Sequence, residues 1–130
     1  MNEVVSQFEY ASGAISRFSN PNHAGSLNSQ TDTASAQAGS RDRGASVRFW
    51  VQMHNGRIVK MRFQAYGCPH FIAAAQMLCE WAVGRSALEL LQWHWQLVQG
   101  DLEIPAAKRG KLLLLEDAVR AVAAEIDALC

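Results

Sequence analysis

Two stretches in the middle of the chain alternate apolar and polar residues, as half-buried β-strands do. Their apolar positions are Val47, Phe49, Val51 and Met53 in the first stretch and Val59, Met61, Phe63 and Ala65 in the second. The positions between them carry Arg48, Trp50, Lys60 and Arg62. The pattern predicts an antiparallel hairpin with one buried apolar face and one polar face.

The link between the two strands decides their register. Asn55-Gly56 is typical of a two-residue turn, but that turn pairs Val51 with a polar residue and sends the two apolar sets to opposite faces. A three-residue loop, which begins at His54, pairs Val51 with Val59 instead. Because a slip of one residue inverts every side chain, burial favours the second register. We therefore predict a bulged turn with Gly56 in the left-handed region.

Helical spacing of apolar residues predicts helices on both sides of this hairpin. The first spans Val4–Phe18, and the second opens at Cys68 and ends near Gly84. Beyond it, Ser86 is expected to cap a short helix that runs through about Gln92–Leu97. The last helix has one apolar stripe, formed by Leu112, Leu115, Val119, Val122, Ile126 and Leu129.

The segment 26–44 is rich in Ser, Thr, Gln, Ala and Gly, and Leu27 is its one large apolar residue. Such a segment buries little apolar surface, so we expect it to be irregular and mobile. The remaining elements fit a single domain over 1–130, of class α+β, with an antiparallel sheet packed on one side by helices.

Composition and charge narrow the possible functions. Twelve basic residues cancel twelve acidic ones, so no basic field is available for nucleic acid or for an acidic membrane. No apolar stretch is long enough to span a bilayer. The amino terminus lacks the basic and then apolar order of a signal peptide, and we expect a cytoplasmic protein. The sequence contains no glycine-rich phosphate-binding loop and no Ser/His/Asp constellation, so its motifs do not indicate an enzyme.

Three cysteines, Cys68, Cys79 and Cys130, are an odd number at wide spacing, which makes a structural zinc site improbable. Cys79 falls on or near the apolar stripe of its helix and is expected in the core. Cys68 follows Gly67 at a helix start, where amide N–H groups and the helix dipole favour a thiolate. Cys68 is therefore the predicted reactive cysteine.

These elements, in this order, resemble the NifU/IscU-type iron–sulfur cluster assembly scaffold family over about Phe18–Leu129. The matching motifs are Asn20-Pro21-Asn22-His23-Ala24-Gly25, Gly56-Arg57-Ile58 through Arg62-Phe63-Gln64-Ala65-Tyr66-Gly67-Cys68, Glu80-Trp81-Ala82-Val83-Gly84-Arg85-Ser86, and Leu102-Glu103-Ile104-Pro105 before Lys108 and Glu116-Asp117-Ala118. The resemblance implies a SufE/NifU-like fold with about three strands. It also implies binding of iron, zinc or a [2Fe–2S] cluster, and a cysteine desulfurase or other cluster-assembly proteins as partners.

In that family three cysteines, an aspartate and sometimes a histidine hold zinc or a nascent cluster. Carried over position by position, only Cys68 remains. The first cysteine position falls on Asp42 and the aspartate position on Gly44, while a histidine and a cysteine position fall on Gly110 and Lys111. One thiolate does not replace a full set of metal bonds. A homodimer that brings two thiols together is one way to recover ligands.

Other side chains near these positions are weaker candidates. His70 is a replacement metal ligand, a base, or simply a solvated side chain. Asp42 is a weak oxygen ligand or a member of a local ion pair. The ammonium of Lys111 would repel a metal cation but would favour a thiolate. The histidines in turns, His23 and His54, are expected to be exposed.

Two segments are candidate partner surfaces. Trp93 and Trp95 lie in an aromatic-rich stretch, in which one indole is expected at the surface unless both form a satellite core. Ile104, Pro105 and Lys108 match the family's chaperone-recognition segment only loosely.

Three functions remain open from the sequence. The first is an iron–sulfur cluster assembly protein, scaffold-like or accessory and not an enzyme, that binds iron or a cluster through Cys68. The second is a single-cysteine sulfur acceptor that carries a persulfide, since sulfur-acceptor proteins are known on a similar fold. The third is a degenerate member that serves in protein–protein contact without metal.

Overall fold

A computed structural model describes residues 22–28, 32–98 and 109–129. The predicted first helix, Val4–Phe18, lies outside the described residues, as do Cys130 and the connector that contains Ile104. The described elements are β1 Thr33–Ser40, a 3₁₀ turn Arg41–Arg43, β2 Ala45–His54, β3 Arg57–Tyr66, α1 Pro69–Ala82, α2 Ala87–Leu90 and α3 Arg109–Ala128.

The three strands form one antiparallel sheet in the order β1-β2-β3. Helix α3 packs on β1 and β2, and α1 packs on β3. Phe49, Val51, Met61 and Phe63 point from the sheet into a core that the helices close, and each is at most 2% exposed. The predicted α+β class, with a small three-stranded sheet covered by helices, is confirmed.

The strand β1 corrects the expectation of an irregular segment over 26–44. Thr33–Ser40 pairs along its whole length with β2, from Thr33 opposite Gln52 to Ser40 opposite Ala45. Its small side chains carry little strand propensity of their own. Ala34 is nevertheless buried under α3, so the strand is stabilised by tertiary contacts that the local sequence does not reveal.

The hairpin between β2 and β3 keeps the predicted face but reaches it by another route. Asn55 and Gly56 have φ of 52° and 76°, so Gly56 is left-handed as predicted. The link is a two-residue turn and not the predicted three-residue loop, and the predicted pairing of Val51 with Val59 is wrong. An extra residue in β3 then shifts the register, so that Gln52 pairs with Lys60 and Val51 with Met61. The bulge restores one apolar face, as burial requires.

Because of the same bulge, Ile58 and not its neighbour Val59 points into the core. Ile58 is 1% exposed, while Val59, predicted to be buried, is 42% exposed. An alternation pattern cannot mark the position of an inserted residue, because both neighbours here are β-branched and apolar.

The helix predictions hold in outline. Cys68 is the N-cap of α1, Pro69 is its first residue, and Gly84, with φ of 92°, follows its carboxyl end. Ser86 caps α2 as predicted, but α2 ends at Leu90, well before Gln92–Leu97. The α3 stripe is buried except for Leu129, which is 39% exposed. None of the described helices is both long and apolar enough to cross a membrane.

Candidate functional site

Cys68 lies at the junction of the sheet and α1, one residue before the first helical turn. Its backbone is extended, with φ of −74° and ψ of 164°, and its carbonyl accepts a hydrogen bond of 3.1 Å from the N–H of Ile72. The side chain makes no capping hydrogen bond and is half-buried. The thiol is therefore not a cap of the helix, and the partly exposed side chain packs against the edge of the core.

The tight reversal before Cys68 depends on Gly67. A Cβ atom at this position would lie 2.9 Å from Cδ2 of Phe71, closer than side-chain carbons approach one another. Phe71 itself is 1% exposed and belongs to the core. The packing of one helix residue against the glycine thus fixes the direction in which the Cys68 backbone leaves the sheet.

The turn between β1 and β2 lies at the same end of the sheet. Ser40 Oγ accepts a hydrogen bond of 3.3 Å from the N–H of Arg43, and Gly44, with φ of 84°, donates its N–H to the carbonyl of Arg41 at 3.0 Å. Asp42, in the middle of this turn, is exposed. The turn is built from local hydrogen bonds that do not use the carboxylate.

Three positions singled out by the family comparison meet at this end of the molecule. Ser46 pairs with Tyr66, so the strand ends that lead to Gly44 and to Cys68 lie side by side. From the other side, the amine of Lys111 lies where a side chain at Gly44 would begin, 3.0 Å from a Cβ built there. The fold thus gathers the turn, the end of β3 and the start of α3.

This arrangement does not match a metal centre. Within the described ranges, no three His, Cys, Asp or Glu side chains come close enough together to hold a metal ion. Lys111 brings a positive charge to Gly44, where a cation would need a ligand. Gly110, at the preceding position, is exposed and provides no side chain. The side chains present here do not fit a self-contained cluster site.

His70 is 1% exposed, which contradicts the expectation of a solvated side chain. It lies on the inner side of the first turn of α1, among residues of the core. The prediction failed because the apolar stripe of this helix already begins in its first turn. Burial makes the ring a poor candidate for a ligand that must exchange with solvent.

The two histidines predicted to be exposed behave differently from each other. His54 is exposed, as predicted. His23 is half-buried, which corrects the expectation of exposure, and its Nδ1 donates to the carbonyl of Met61 at 3.0 Å. The carbonyl of His23 also accepts the N–H of Phe63, and Gly25 donates its N–H to the Phe63 carbonyl. The loop is therefore docked along the outer edge of β3.

Gln76 is a structural residue that the sequence did not single out. It is 1% exposed, and its Oε1 accepts the N–H of His23 at 2.8 Å. Its Nε2 donates to Asn22 Oδ1 at 2.7 Å and to Glu80 Oε2 at 2.8 Å. A polar residue on the buried stripe of a helix was the signal that could have identified it.

Cys79 is buried in the core, as predicted, at 0% exposure. Burial raises the pKa of its thiol well above the ordinary value, and the charge of Arg62 offsets only part of that rise. The neutral thiol of Cys79 is therefore unsuited to nucleophilic chemistry at neutral pH.

The tryptophan segment forms part of the core. Trp93 is 3% exposed, so it cannot serve as a partner anchor as we had considered. Trp95 is half-buried against the core, and its backbone N–H donates to Glu116 Oε2 at 3.2 Å. The satellite-core alternative accounts for both indoles. Of the second candidate surface, Ile104, Pro105 and Lys108 lie outside the described residues.

The fold and the site define a class of protein. The family described as the NifU-like N terminal domain matches residues 9–128, and the chain belongs to that family. In a solved structure of a NifU-like protein (N-terminal) from Brucella abortus, 93% of the chain matches 90% of this one, with a TM-score of 0.65 and 17% identity. This likeness shows that the two proteins share a fold.

Relatives with similar sequences have names from iron–sulfur cluster assembly. The iron–sulfur cluster assembly scaffold protein IscU of Haemophilus influenzae is 28% identical over 121 residues, which are 92% of this chain and 96% of the relative. A Drosophila melanogaster relative, 27% identical over 118 residues that span 89% of this chain and 77% of its own, is named an iron–sulfur cluster assembly enzyme, IscU. The relatives are thus named both as scaffold and as enzyme.

Proposed function

We propose that this protein acts in iron–sulfur cluster assembly as an accessory sulfur acceptor whose working group is the Cys68 thiol. The observation that supports this most directly is that one free thiol and one positive charge lie at the same end of the sheet. Cys68 is half-buried and free of capping bonds, while the ammonium of Lys111 lies at Gly44, in the turn at the same end of the sheet. A single thiol at an end of the sheet that carries this positive charge suits an anionic sulfur species better than a metal cation.

The exchange we propose is a thiolate–persulfide reaction. The Cys68 thiolate attacks the outer sulfur of a persulfide on a donor cysteine. The bond between that sulfur and the donor sulfur breaks, and the donor leaves as a thiolate. The acceptor then carries the persulfide, with one sulfur–sulfur bond formed, one broken and no net oxidation. No catalytic turnover by this chain is needed, so the proposal does not make it an enzyme.

A cysteine desulfurase is the partner of matching chemistry, because its product sulfur is carried as a persulfide. We place the exchange in the cytoplasm, where thiols stay reduced. Iron or a [2Fe–2S] cluster enters this proposal only as cargo, for which Cys68 contributes one thiolate. The remaining ligands would come from the other protein or from a second copy of this chain.

Isotope-labelled sulfur tests the proposal. Wild-type protein, Cys68→Ser and Cys130→Ser are incubated with a cysteine desulfurase and ³⁵S-labelled cysteine, then separated on a non-reducing gel. We expect label on wild type and on Cys130→Ser, released by a thiol reductant, and none on Cys68→Ser. Equal labelling of Cys68→Ser would sink the assignment of the acceptor.

Anaerobic reconstitution separates this proposal from a self-contained scaffold. Wild-type protein is mixed with iron and sulfide, and its visible absorption is recorded after gel filtration. We expect no chromophore to elute with the isolated monomer. A stable chromophore on the monomer that is lost in Cys68→Ser would favour a scaffold and contradict the acceptor role.

A further inference from the structure

The face of the sheet opposite the helices has an unusual composition and is largely uncovered by the described residues. In the β2–β3 register, Trp50 pairs with Arg62 and Arg48 with Gln64, and all four side chains lie on the side away from the core. We call this surface the open sheet face, and its other outward residues are Thr33, Ser35, Gln37, Gly39, Ser46, Gln52, Lys60 and Tyr66. No described helix packs on it, although Leu27 and Asn28 line a cleft with Thr33, Gln52 and Lys60 at its far end.

The charges of this face are mostly positive. Arg48, Lys60 and Arg62 lie on it, and Arg41 joins it from the adjacent turn. One carboxylate, that of Asp32 just before β1, accepts a hydrogen bond of 3.2 Å from Gln52 at the far end of the face. The chain as a whole has a formal net charge of zero. The open sheet face therefore concentrates positive charge that the total conceals.

These cations have no acidic partner among the described residues. The ion pairs found there are Arg57–Glu89, Arg85–Glu89 and Arg120–Asp117, all away from the strands' outer face. Arg48 donates instead to neutral oxygens, Ser35 Oγ at 3.3 Å and Gln37 Oε1 at 3.2 Å. The face thus offers guanidinium groups that are held in place but not neutralised.

The aromatic rings of the face orient two of these guanidinium groups. Arg41 lies over the ring of Tyr66, 5.0 Å from its centroid, and Arg48 lies 5.9 Å from the centroid of Trp50. A stacked guanidinium keeps its N–H edge free for a carboxylate, which it binds in a two-pronged geometry. Arg41, Arg48 and Tyr66 also line one shallow cleft on this face.

We propose that the open sheet face docks an acidic segment of a partner protein, with carboxylates received by Arg41, Arg48 and Arg62. Nucleic acid fits less well, because it would stack bases on exposed rings, and here a guanidinium already lies over each ring. The proposal goes beyond sulfur transfer and does not depend on Cys68.

The test uses a fluorescein-labelled octaglutamate peptide as the probe. Its binding to the full chain is followed by fluorescence anisotropy, and the contacted residues are mapped by amide chemical shifts. We expect the largest shifts on the outward residues of β2 and β3. Arg48→Glu should weaken binding about tenfold, because it replaces a charge-assisted contact with repulsion. Higher ionic strength should weaken it as well.

Matched variants make the result specific. Arg120→Glu makes the same charge change on the outer surface of α3, and we expect it to change the affinity less than about twofold. Gln64→Glu adds a negative charge beside Arg48 without removing a contact, so we expect it to weaken binding as well. It serves as the test variant if Arg48→Glu fails to fold. Cys68→Ser should bind octaglutamate as wild type does, whatever the outcome of the sulfur experiment.

Three results would overturn the proposal. The first is an equal loss of affinity in Arg48→Glu and Arg120→Glu, which would show attraction by net charge alone. The second is a set of chemical shifts that map to the helices. The third is an oligothymidylate that binds the open sheet face as tightly as octaglutamate, which would assign the surface to nucleic acid.

Discussion

Cys68 and Cys79 lie eleven positions apart in sequence, yet their side chains differ in burial. Cys68 precedes the first turn of α1 and is half-buried, while Cys79 lies on the inner side of the same helix at 0% exposure. Burial raises the pKa of Cys79, so its thiolate is scarce at neutral pH. The N-cap position therefore leaves one thiol available for chemistry, while the position on the inner side of the helix uses the other for packing.

This contrast predicts selective alkylation. With iodoacetamide at about pH 8, we expect Cys68 to be labelled in the folded protein and Cys79 to be labelled only after unfolding in urea. Mass spectrometry of proteolytic peptides distinguishes the two sites, and the urea-treated sample shows that both peptides can be detected. Labelling of Cys79 at the rate of Cys68 under native conditions would show that the helix opens locally.

At the scale of elements, the hairpin between β1 and β2 depends on a glycine with a special backbone. Gly39 has φ of 82°, and a Cβ atom there would overlap the carbonyl oxygen of Ala45 on the facing strand. Gly56, in the other hairpin, has a similar φ of 76° with open space around it. Substituting each glycine in turn therefore distinguishes the free-energy cost of a left-handed backbone from that of a steric clash.

We expect Gly39→Ala to destabilise the protein by about 2 kcal/mol or more, since backbone strain and overlap both contribute. Gly56→Ala, with strain alone, should cost about 1 kcal/mol. Urea unfolding followed by circular dichroism measures both free energies of unfolding. Equal losses in the two variants would mean that the strands move apart without cost at Gly39.

The short helix α2 is joined to β3 by charge. Ser86 and Glu89 form a capping box, in which each side chain accepts a hydrogen bond from the other's backbone N–H at 3.2 Å. Arg57, at the start of β3, pairs with the Glu89 carboxylate at 2.8 Å. The pKa of Glu89 is lowered, chiefly by the hydrogen bond from the Ser86 backbone and also by the charges of Arg57 and Arg85.

This lowered pKa predicts how stability changes with pH. A carboxyl whose pKa is lower in the folded state stabilises it above the unfolded value, here near 4.5, and loses that effect as the pH falls through the folded value. We expect the urea midpoint of wild type to exceed that of Glu89→Gln at about pH 7, and the gap to shrink on acidification to about pH 3. Glu125→Gln, an exposed carboxyl on α3, is the control. A constant gap would remove Glu89 as the cause.

The elements differ in how far the sequence could predict them. The Gly-Cys-Pro junction and the Ser86 cap were predictable, because turn and cap preferences act over a few neighbouring residues. Strand β1 was not, since Ala, Ser, Thr and Gln form a strand there only when β2 and α3 are in place. The bulge near Val59 was also hidden, because its position depends on packing across two strands.

At the scale of the whole molecule, the candidate site joins parts of the chain that are far apart in sequence. Local signals identify Cys68, but only the tertiary fold shows that Lys111 lies over Gly44. The burial of His70 likewise depends on parts of the chain that are distant in sequence. The missing metal ligands also belong to two distant segments, so substitutions in the turn and in α3 together should restore a metal site.

We expect zinc to stabilise a variant that combines Asp42→Cys, Gly44→Asp and Lys111→Cys. These changes introduce thiolate and carboxylate ligands at the end of the sheet that carries Cys68 and remove the amine that fills the space at Gly44. A site occupied well above its dissociation constant should raise the thermal midpoint by about 5 °C or more.

Two comparisons make the zinc experiment decisive. Asp42→Cys with Gly44→Asp, in which Lys111 is kept, should gain no zinc-dependent stability because the amine stays in place. A chelator should return the triple variant to its metal-free midpoint. If zinc raises the midpoint of wild type as much as that of the triple variant, the native chain already holds a complete metal site.

The loop at His23–Gly25 has a consequence for how copies of this chain can meet. By bonding to both backbone groups of Phe63, it occupies the side of β3 that faces away from β2. The outer edge of β1 has no strand paired to it in the part of the chain that the structure describes. An unpaired edge of this kind is where sheets grow or associate. If two copies joined these sheets edge to edge, the docked loop on β3 would favour contact of β1 against β1.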